Sequence, residues 1–563
     1  MCLYHYSSLR HYFNIVNKLT KLWYSAGSNR RIAQRSAPPG PLVGAASPRE
    51  PGKIRGMLLE KILAQGEQRG SETAIIDDRR NITFRQLSLA ADIMAGHLDR
   101  GAGDEDKIGL LLPQSGAFAV AFLGVHWTGR IAVPLNYLLR AAELIAVCRD
   151  AGLKTIVTIR YFQELAPALR QAGYRVIFME DVSFIAPATR LRRAAGIKRR
   201  LPPQRPADVA VIIYTSGTAG EPKGVMLTNR NLDSNAAAAI EHARFQQQLS
   251  FLGILPMFHT LGLMGCLLAP LSLGCRVVYQ ARFSPMAVCE VISRRQIEVL
   301  IAVPTMFAML VRAKDAQRQA LSSVRYAISG GEPLSASLTQ EFHEKFGLTL
   351  LEGFGLTETS PLVSFSVPWA HRPGSVGRPL RDVQLRIVDE QERPLGPNLD
   401  GELWIKGPNV MKGYYQNPAA TAAVLREDGW LKTGDLAHID ADGFLYITGR
   451  KKEMIIMAGE KIMPGEIEEV LRQYPGVLLA AVIGVKDPQR GECPVAFLQL
   501  EPELKEKPSA QEIRAFVRRR LAPYKTPRDI YFVDAMPRSA TGKILKRGLQ
   551  VPGTPALAVA HRA

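Results

Sequence analysis

The stretch Tyr214 to Val225, YTSGTAGEPKGV, gathers three glycines (Gly217, Gly220, Gly224), three hydroxyls (Thr215, Ser216, Thr218) and one cation, Lys223. Glycines let backbone N–H groups approach phosphate oxygens, hydroxyls add donors, and an ammonium sets a point charge opposite a polyphosphate. The stretch departs from a Walker loop at two places: Pro222 stands before the lysine in place of glycine, and Gly224 follows it in place of Ser or Thr. The hydroxyl that holds Mg2+ in a P-loop NTPase is therefore missing, and that enzyme class is disfavoured. The short β-branched run Val209 to Ile213 predicts the buried strand that delivers the loop, and a polar turn opens a predicted helix near Thr228.

Further along lie other stretches with chemistry in them. LPMFHTLGL places His259 between apolar segments, and the uncharged run Leu261 to Leu273 suits the wall of an apolar pocket as well as it suits plain core packing. SGGEPL (Ser329 to Leu334) and GFGLTET (Gly353 to Thr359) follow, then TGD with Asp435, Arg450, AGEK with Gly459, and PRSATGKILK with Lys543. An aromatic ring stacks on a base, a hard cation takes carboxylate oxygen, and a carboxylate accepts hydrogen bonds from two hydroxyls.

These motifs, in this order, resemble the adenylate-forming enzymes, which include acyl-CoA synthetases, luciferases and the adenylation domains of peptide synthetases. The resemblance runs from about residue 57 to 547 and is strongest to fatty acyl-CoA ligases. It implies that Thr215, Ser216, Gly217, Thr218 and Gly220 hold the phosphates with Lys223. Gly331, Glu332 and Pro333 border the adenine, and Phe354 and Gly355 lie against its face. Thr357 contacts phosphate, and Glu358, with Thr218, holds Mg2+. Asp435 and Arg450 bind the ribose, His259 sits beside the reacting carboxylate, Gly459 lines the path of the CoA pantetheine, and Lys543 is the lysine of the adenylation step. The implied reaction joins a fatty acid to ATP as acyl-AMP with release of pyrophosphate, then passes the acyl group to CoA. Three other readings stay open: transfer to an acyl carrier protein, luciferase-like oxidation, and a non-catalytic acyl or nucleotide sensor. The last would be expected to lose Lys543, Glu358 or Asp435, and all three are present.

The elements that must position these residues alternate as helices and short strands, so an α/β fold is expected. Ala74 to Ile76 and Gly109 to Leu112 predict strands, Phe84 to Leu98 a helix, and GELWIKG (Gly401 to Gly407) a strand. Asn417 and Pro418 form a helix start, Ala441 to Gly443 a hairpin turn, and Ser509 with Glu512 a capping box. The resemblance further implies a large N-terminal domain (57–449) of stacked mixed and parallel sheets with flanking helices and a β-barrel-like subdomain, and a hinge at 450–452 leading to a small mobile α+β domain (453–547). Residues 548–563 are expected to be a flexible tail.

At 563 residues, 47% hydrophobic and 22% charged, the chain is long enough for two or three cores and has the composition of an ordinary globular protein. Its six cysteines make no CxxC pair, which fits a reduced, cytoplasmic compartment. The net charge of +19 is unevenly spread: no acidic residue precedes Glu50, and Arg190 to Arg200 holds six Lys or Arg. Residues 1–56 are expected to be a basic, disordered arm; a targeting segment and a start-site artefact are the other readings. Both basic regions suit a solvated face or a peripheral contact with anionic membrane. No nucleic-acid partner is expected, because no helix-turn-helix, finger or aromatic-interleaved basic motif accompanies the charge.

Overall fold

A computed structural model describes residues 56–77, 80–182, 201–216, 222–502, 504, 506–538 and 544–551. The basic arm up to residue 55, the Arg190 to Arg200 cluster, Gly217, Thr218, Gly220 and Lys543 lie outside them. Among the described residues the strands form four sheets. Sheet A has nine strands. Its centre runs parallel through Thr73–Asp77, Arg276–Tyr279, Ser250–Gly253, Val299–Ala302, Tyr326–Gly330 and Leu350–Gly355, with antiparallel strands at both edges. Sheet B has seven strands and includes Lys107–Leu111, Ile131–Pro134 and Val209–Ser216.

The two sheets stack on helices held between them. Gly116–Trp127 is apolar all round, with every residue from Phe118 to His126 buried, as expected of a helix covered on every side. His126 within it is pulled down to about 3 by burial and is therefore a neutral core residue. Phe84–Gly101 packs beside it, started by Thr83, whose hydroxyl accepts from Gln86 N–H while Gln86 Oε1 accepts from Thr83 N–H at 2.8 Å. Val211, Ile212 and Ile213 have no exposed surface, which explains why their strand is an unbroken apolar run rather than an alternating one.

Sheet C is antiparallel: Gln384–Val388, Gly401–Lys406, Leu431–Ile439 and Leu445–Arg450. It is an open four-stranded sheet among the described residues. The expected barrel-like subdomain does not close, because its edge strands Gln384–Val388 and Leu445–Arg450 do not pair with each other. Sheet C is joined to the rim of sheet A through Val376 N–H donating to Leu445 O at 2.9 Å and Leu445 N–H to Gly377 O at 3.0 Å.

Sheet D, built on the long hairpin Val477–Asp487 and Gly491–Leu500, packs with helices Pro464–Arg472 and Ala510–Arg518 around a core of its own, drawn only from residues Ile455 to Leu549. Ser509 caps the second helix with Glu512, as expected. Leu549, inside the stretch expected as a tail, is buried in this core. No helix among the described residues is long and apolar enough to cross a membrane.

Candidate active site

The SGGEPL and GFGLTET motifs sit side by side because the strands that end in them are parallel neighbours. Ser329 pairs with Glu352 and Gly330 with Gly353, so both turns leave the same edge, the C-terminal edge of sheet A. Ligands of open α/β sheets bind at that edge. Gly331 has φ of +85°, a conformation that suits glycine, and a side chain on Gly355 would strike the Pro361 carbonyl 2.0 Å away. Glu332 and Phe354 are half-buried and Pro333 is exposed.

Glu352 lies between the two motifs and was missed in the sequence because a single Glu inside a strand carries no signal. Its carboxyl accepts from Leu334 N–H at 3.1 Å, and burial pushes it up to about 7, where it is partly protonated at neutral pH.

The two flanks of the glycine-rich stretch are paired strands, so a strand and not a turn leads from it to the helix. Val209–Ser216 returns antiparallel as Pro222–Thr228, with Thr215 opposite Lys223 and Ser216 opposite Pro222. Lys223 therefore stands on a strand, fixed by pairing on both sides, since Pro222–Thr228 also pairs with Gly413–Tyr414. Thr228 then caps the helix Asn229–His242, and Asn231 both completes that cap and donates to Pro408 O and Val410 O at 2.8 Å each. One asparagine thus ties the start of the helix after Pro222–Thr228 to the segment at 408–415.

That segment carries Tyr414, which the sequence reading passed over. Its O–H donates to Glu358 Oε1 at 2.8 Å, and the Lys223 ammonium lies 5.1 Å from the centre of its ring. Met411 N–H donates to Glu358 O at 2.8 Å, and Asn409 Nδ2–H to Thr359 O at 3.1 Å, so the turn Thr357–Thr359 is held from below by its backbone. Thr357 Oγ1 is 3.4 Å from Thr260 Oγ1, which places Thr357 beside the His259 turn. The His259 Nε2 is buried with no hydrogen-bond partner among the described residues, and burial pulls the imidazole down to about 4, so it is uncharged at neutral pH.

Among the described residues no group of three or more His, Cys, Asp or Glu could cage a metal. One half-buried carboxylate, Glu358, facing a phosphate-type strand is nonetheless the donor set that Mg2+ uses when it arrives on a nucleotide, since it keeps waters and phosphate oxygens as its other ligands. The residues present fit that ion.

Asp435 and Arg450 are paired across sheet C, Arg450 Nε to Asp435 Oδ1 at 2.9 Å, with the Asp435 side chain 3% exposed and that of Arg450 45%. Gly459 stands apart from all of these, at the exposed tip of the small hairpin Ile455–Met457 and Glu460–Ile462. Next to it Lys461 pairs with Glu390 at 2.5 Å, joining this hairpin to the turn after Gln384–Val388. Both partners are more than half exposed, so solvent screens the pair.

The helical run after His259 has an unusual turn. Thr260–Leu263 and Ala269–Leu273 are α-helical, and Met264–Leu268 between them is a π-helix. Pro270 has no N–H for the carbonyl of Cys266, and that carbonyl instead accepts from Tyr279 O–H at 2.8 Å. From Leu261 to Pro270 every residue is buried except Leu261 and Gly265, which lie one turn apart on one face. That face looks toward Ile301 and Gly330: a side chain on Gly265 would meet Ile301 Cδ1 at 2.8 Å, and one on Gly330 would meet Leu261 Cδ2 at 3.4 Å. The apolar wall expected along the whole run is thus reduced to this one face.

The AMP-binding enzyme profile matches residues 62–415, and that of the AMP-binding enzyme C-terminal domain matches 466–543. The long-chain-fatty-acid–CoA ligase of Bacillus subtilis (strain 168) is 33% identical over 531 residues, covering 87% of this chain and 94% of that protein. A 4-coumarate–CoA ligase of Pinus taeda is 33% identical over 84% of this chain and 90% of its own length. Among solved structures, o-succinylbenzoate coenzyme A synthetase from Bacillus subtilis, with ATP and magnesium ion, superposes with a TM-score of 0.77 at 31% identity, covering 87% of this chain and 99% of that one. With both halves of the family matched in order, and with the motif-bearing turns brought to one sheet edge, this chain belongs to the AMP-binding enzymes and is an adenylate-forming acid–CoA ligase.

Proposed function

We propose that the acid is a medium- or long-chain fatty acid. In the first step a carboxylate oxygen attacks the α-phosphorus of ATP and the bond to pyrophosphate breaks. In the second, the CoA sulfur attacks the acyl carbon, AMP leaves and the thiol proton passes to solvent. The first step brings two anions together, so catalysis consists mainly of neutralising charge and aligning the reactants. Lys223 supplies a fixed positive charge. Glu358 is the group that would hold Mg2+, which when bound offsets phosphate charge. Asp435 and Arg450 are assigned to the ribose, the SGGEPL and GFGLTET turns to the adenine, and Lys543 to the α-phosphate. Neutral His259 borders the acid without adding charge of its own.

The observation that carries the choice of acid is the Leu261–Gly265 face, which offers only apolar surface, with Ile301 opposite. The relatives act on acids of several kinds by name, fatty, aromatic and succinylated, so the support for a fatty acid comes from this face rather than from the family. Each methylene buried along such a wall contributes up to about 0.8 kcal/mol. Catalytic efficiency should therefore rise from acetate through the medium chains and then level off. Gly265→Leu forces the Ile301 side-chain end out of its present place and fills the wall. It should shift the preferred chain to shorter acids and cost the longest ones about tenfold or more in kcat/KM, while leaving KM for ATP unchanged. A preference for acetate or an aromatic acid over every fatty acid from about eight to sixteen carbons would refute the assignment.

A further inference from the structure

The Lys223 ammonium and the Glu358 carboxylate are opposite charges near the same phosphate-binding turn, yet they do not pair: among the described residues no carboxylate lies within ion-pairing distance of Lys223. Tyr414 stands between them. It is 8% exposed and belongs to the two-residue strand Gly413–Tyr414, where it lies opposite Val225 of the hairpin. That register makes Lys223 its diagonal neighbour on the same face, close enough for a long side chain to reach an aromatic ring. The ammonium sits over the ring at 5.1 Å from its centre, within the range of a cation–π contact. The phenol points the other way and donates to Glu358 Oε1 at 2.8 Å. Its backbone is anchored separately, by Tyr414 N–H donating to Thr421 Oγ1 at 2.9 Å.

We propose that Tyr414 is a positioning residue that keeps Lys223 and Glu358 from neutralising each other. Its ring holds the ammonium by a contact that leaves the charge unspent, and its hydroxyl fixes one carboxylate oxygen so that the other is presented to the cation carried by the nucleotide. Without it, a flexible lysine and a nearby carboxylate would collapse into an ion pair. The phosphates would then lose a charge and the cation a ligand. This rests on the assignment of Glu358 to the metal–nucleotide site made above.

Two substitutions separate the two jobs. Tyr414→Phe keeps the ring and removes only the O–H. Tyr414→Leu removes both, and thermal unfolding of each variant checks that the fold survives. The primary readout is Mn2+ affinity of the enzyme with ATP and no carboxylic acid, followed by electron paramagnetic resonance, with Glu358→Gln as reference. A charge-assisted hydrogen bond of this kind is expected to be worth about tenfold. Tyr414→Phe should weaken Mn2+ by about that factor while leaving KM for ATP near wild type. Tyr414→Leu should weaken Mn2+ and raise KM for ATP several-fold as well. If Glu358→Gln weakens Mn2+ and Tyr414→Phe does not, the positioning role is wrong and the assignment of Glu358 stands. If neither weakens it, the assignment of Glu358 falls and the positioning role falls with it.

Discussion

Lys543→Ala should lower acid-dependent pyrophosphate exchange by about 10²- to 10³-fold, the usual loss when one preorganised group facing developing charge is removed. Thioester formation from acyl-AMP supplied ready-made should stay within a few-fold of wild type. The reason lies in where the residue is carried. Residues 539–543 are outside the described ones, but both flanks are placed: Arg538 and Ile544 bridge antiparallel, and Leu545 N–H donates to Pro537 O at 2.8 Å. The pairing of these flanks belongs to the C-terminal unit. Just beyond it Lys546 pairs with Glu453 at 2.7 Å and Glu468 at 2.9 Å, and these two carboxylates outweigh burial and raise its pKa. The described flank after residue 543 is therefore tied to the C-terminal core, which shares no buried residue with the core beneath Lys223. We propose that Lys543 serves the site only when the C-terminal unit is turned toward it, and that the chain near 450–452 is where it turns. Equal loss of both half-reactions would remove Lys543 from the adenylation step.

Asp435→Ala should raise KM for ATP by about 10²- to 10⁴-fold, since a carboxylate accepting two hydroxyl hydrogen bonds contributes roughly 1.5–3 kcal/mol for each charge-assisted bond. Stability should change little. The residue left behind, Arg450, has 45% of its side chain exposed and can be hydrated where it stands, so no charge is stranded in the interior. Steady-state kinetics with ATP varied, alongside thermal unfolding, checks both halves. A large fall in melting temperature with an unchanged KM for ATP would make Asp435 a structural partner of Arg450 and nothing more.

The parts of the fold visible in the sequence were those written in local patterns. The caps at Thr228, Asn417 and Ser509 are reciprocal or Asn-led signals within four residues, and each begins a helix. The motif order was visible because each motif is contiguous. The strand Pro222–Thr228 was hidden, because Pro222, Gly224 and the glycines before them are poor strand formers. It exists through pairing on both sides, with Pro222 at the first position, where its missing N–H costs least. Tyr414 was invisible for a related reason: its partners are Glu358 and Lys223, remote in sequence, and KGYY has no chemistry of its own. The barrel was expected from resemblance alone, and strand alternation carries no information on whether edge strands meet. In the π-helix the Cys266 carbonyl finds Tyr279 in a distant strand, a partner that no local pattern announces.

The central claim is that this protein makes an acyl adenylate at the site gathered around Lys223, Glu358 and the turns of sheet A. The most direct measurement is exchange of labelled pyrophosphate into ATP, without CoA, across carboxylic acids from acetate to palmitate and including an aromatic acid. The account predicts exchange that requires an acid, is largest for medium or long chains, and is lost in Lys223→Ala with the fold intact. Acid-independent exchange, or conversion of ATP to ADP and phosphate without exchange, would contradict it.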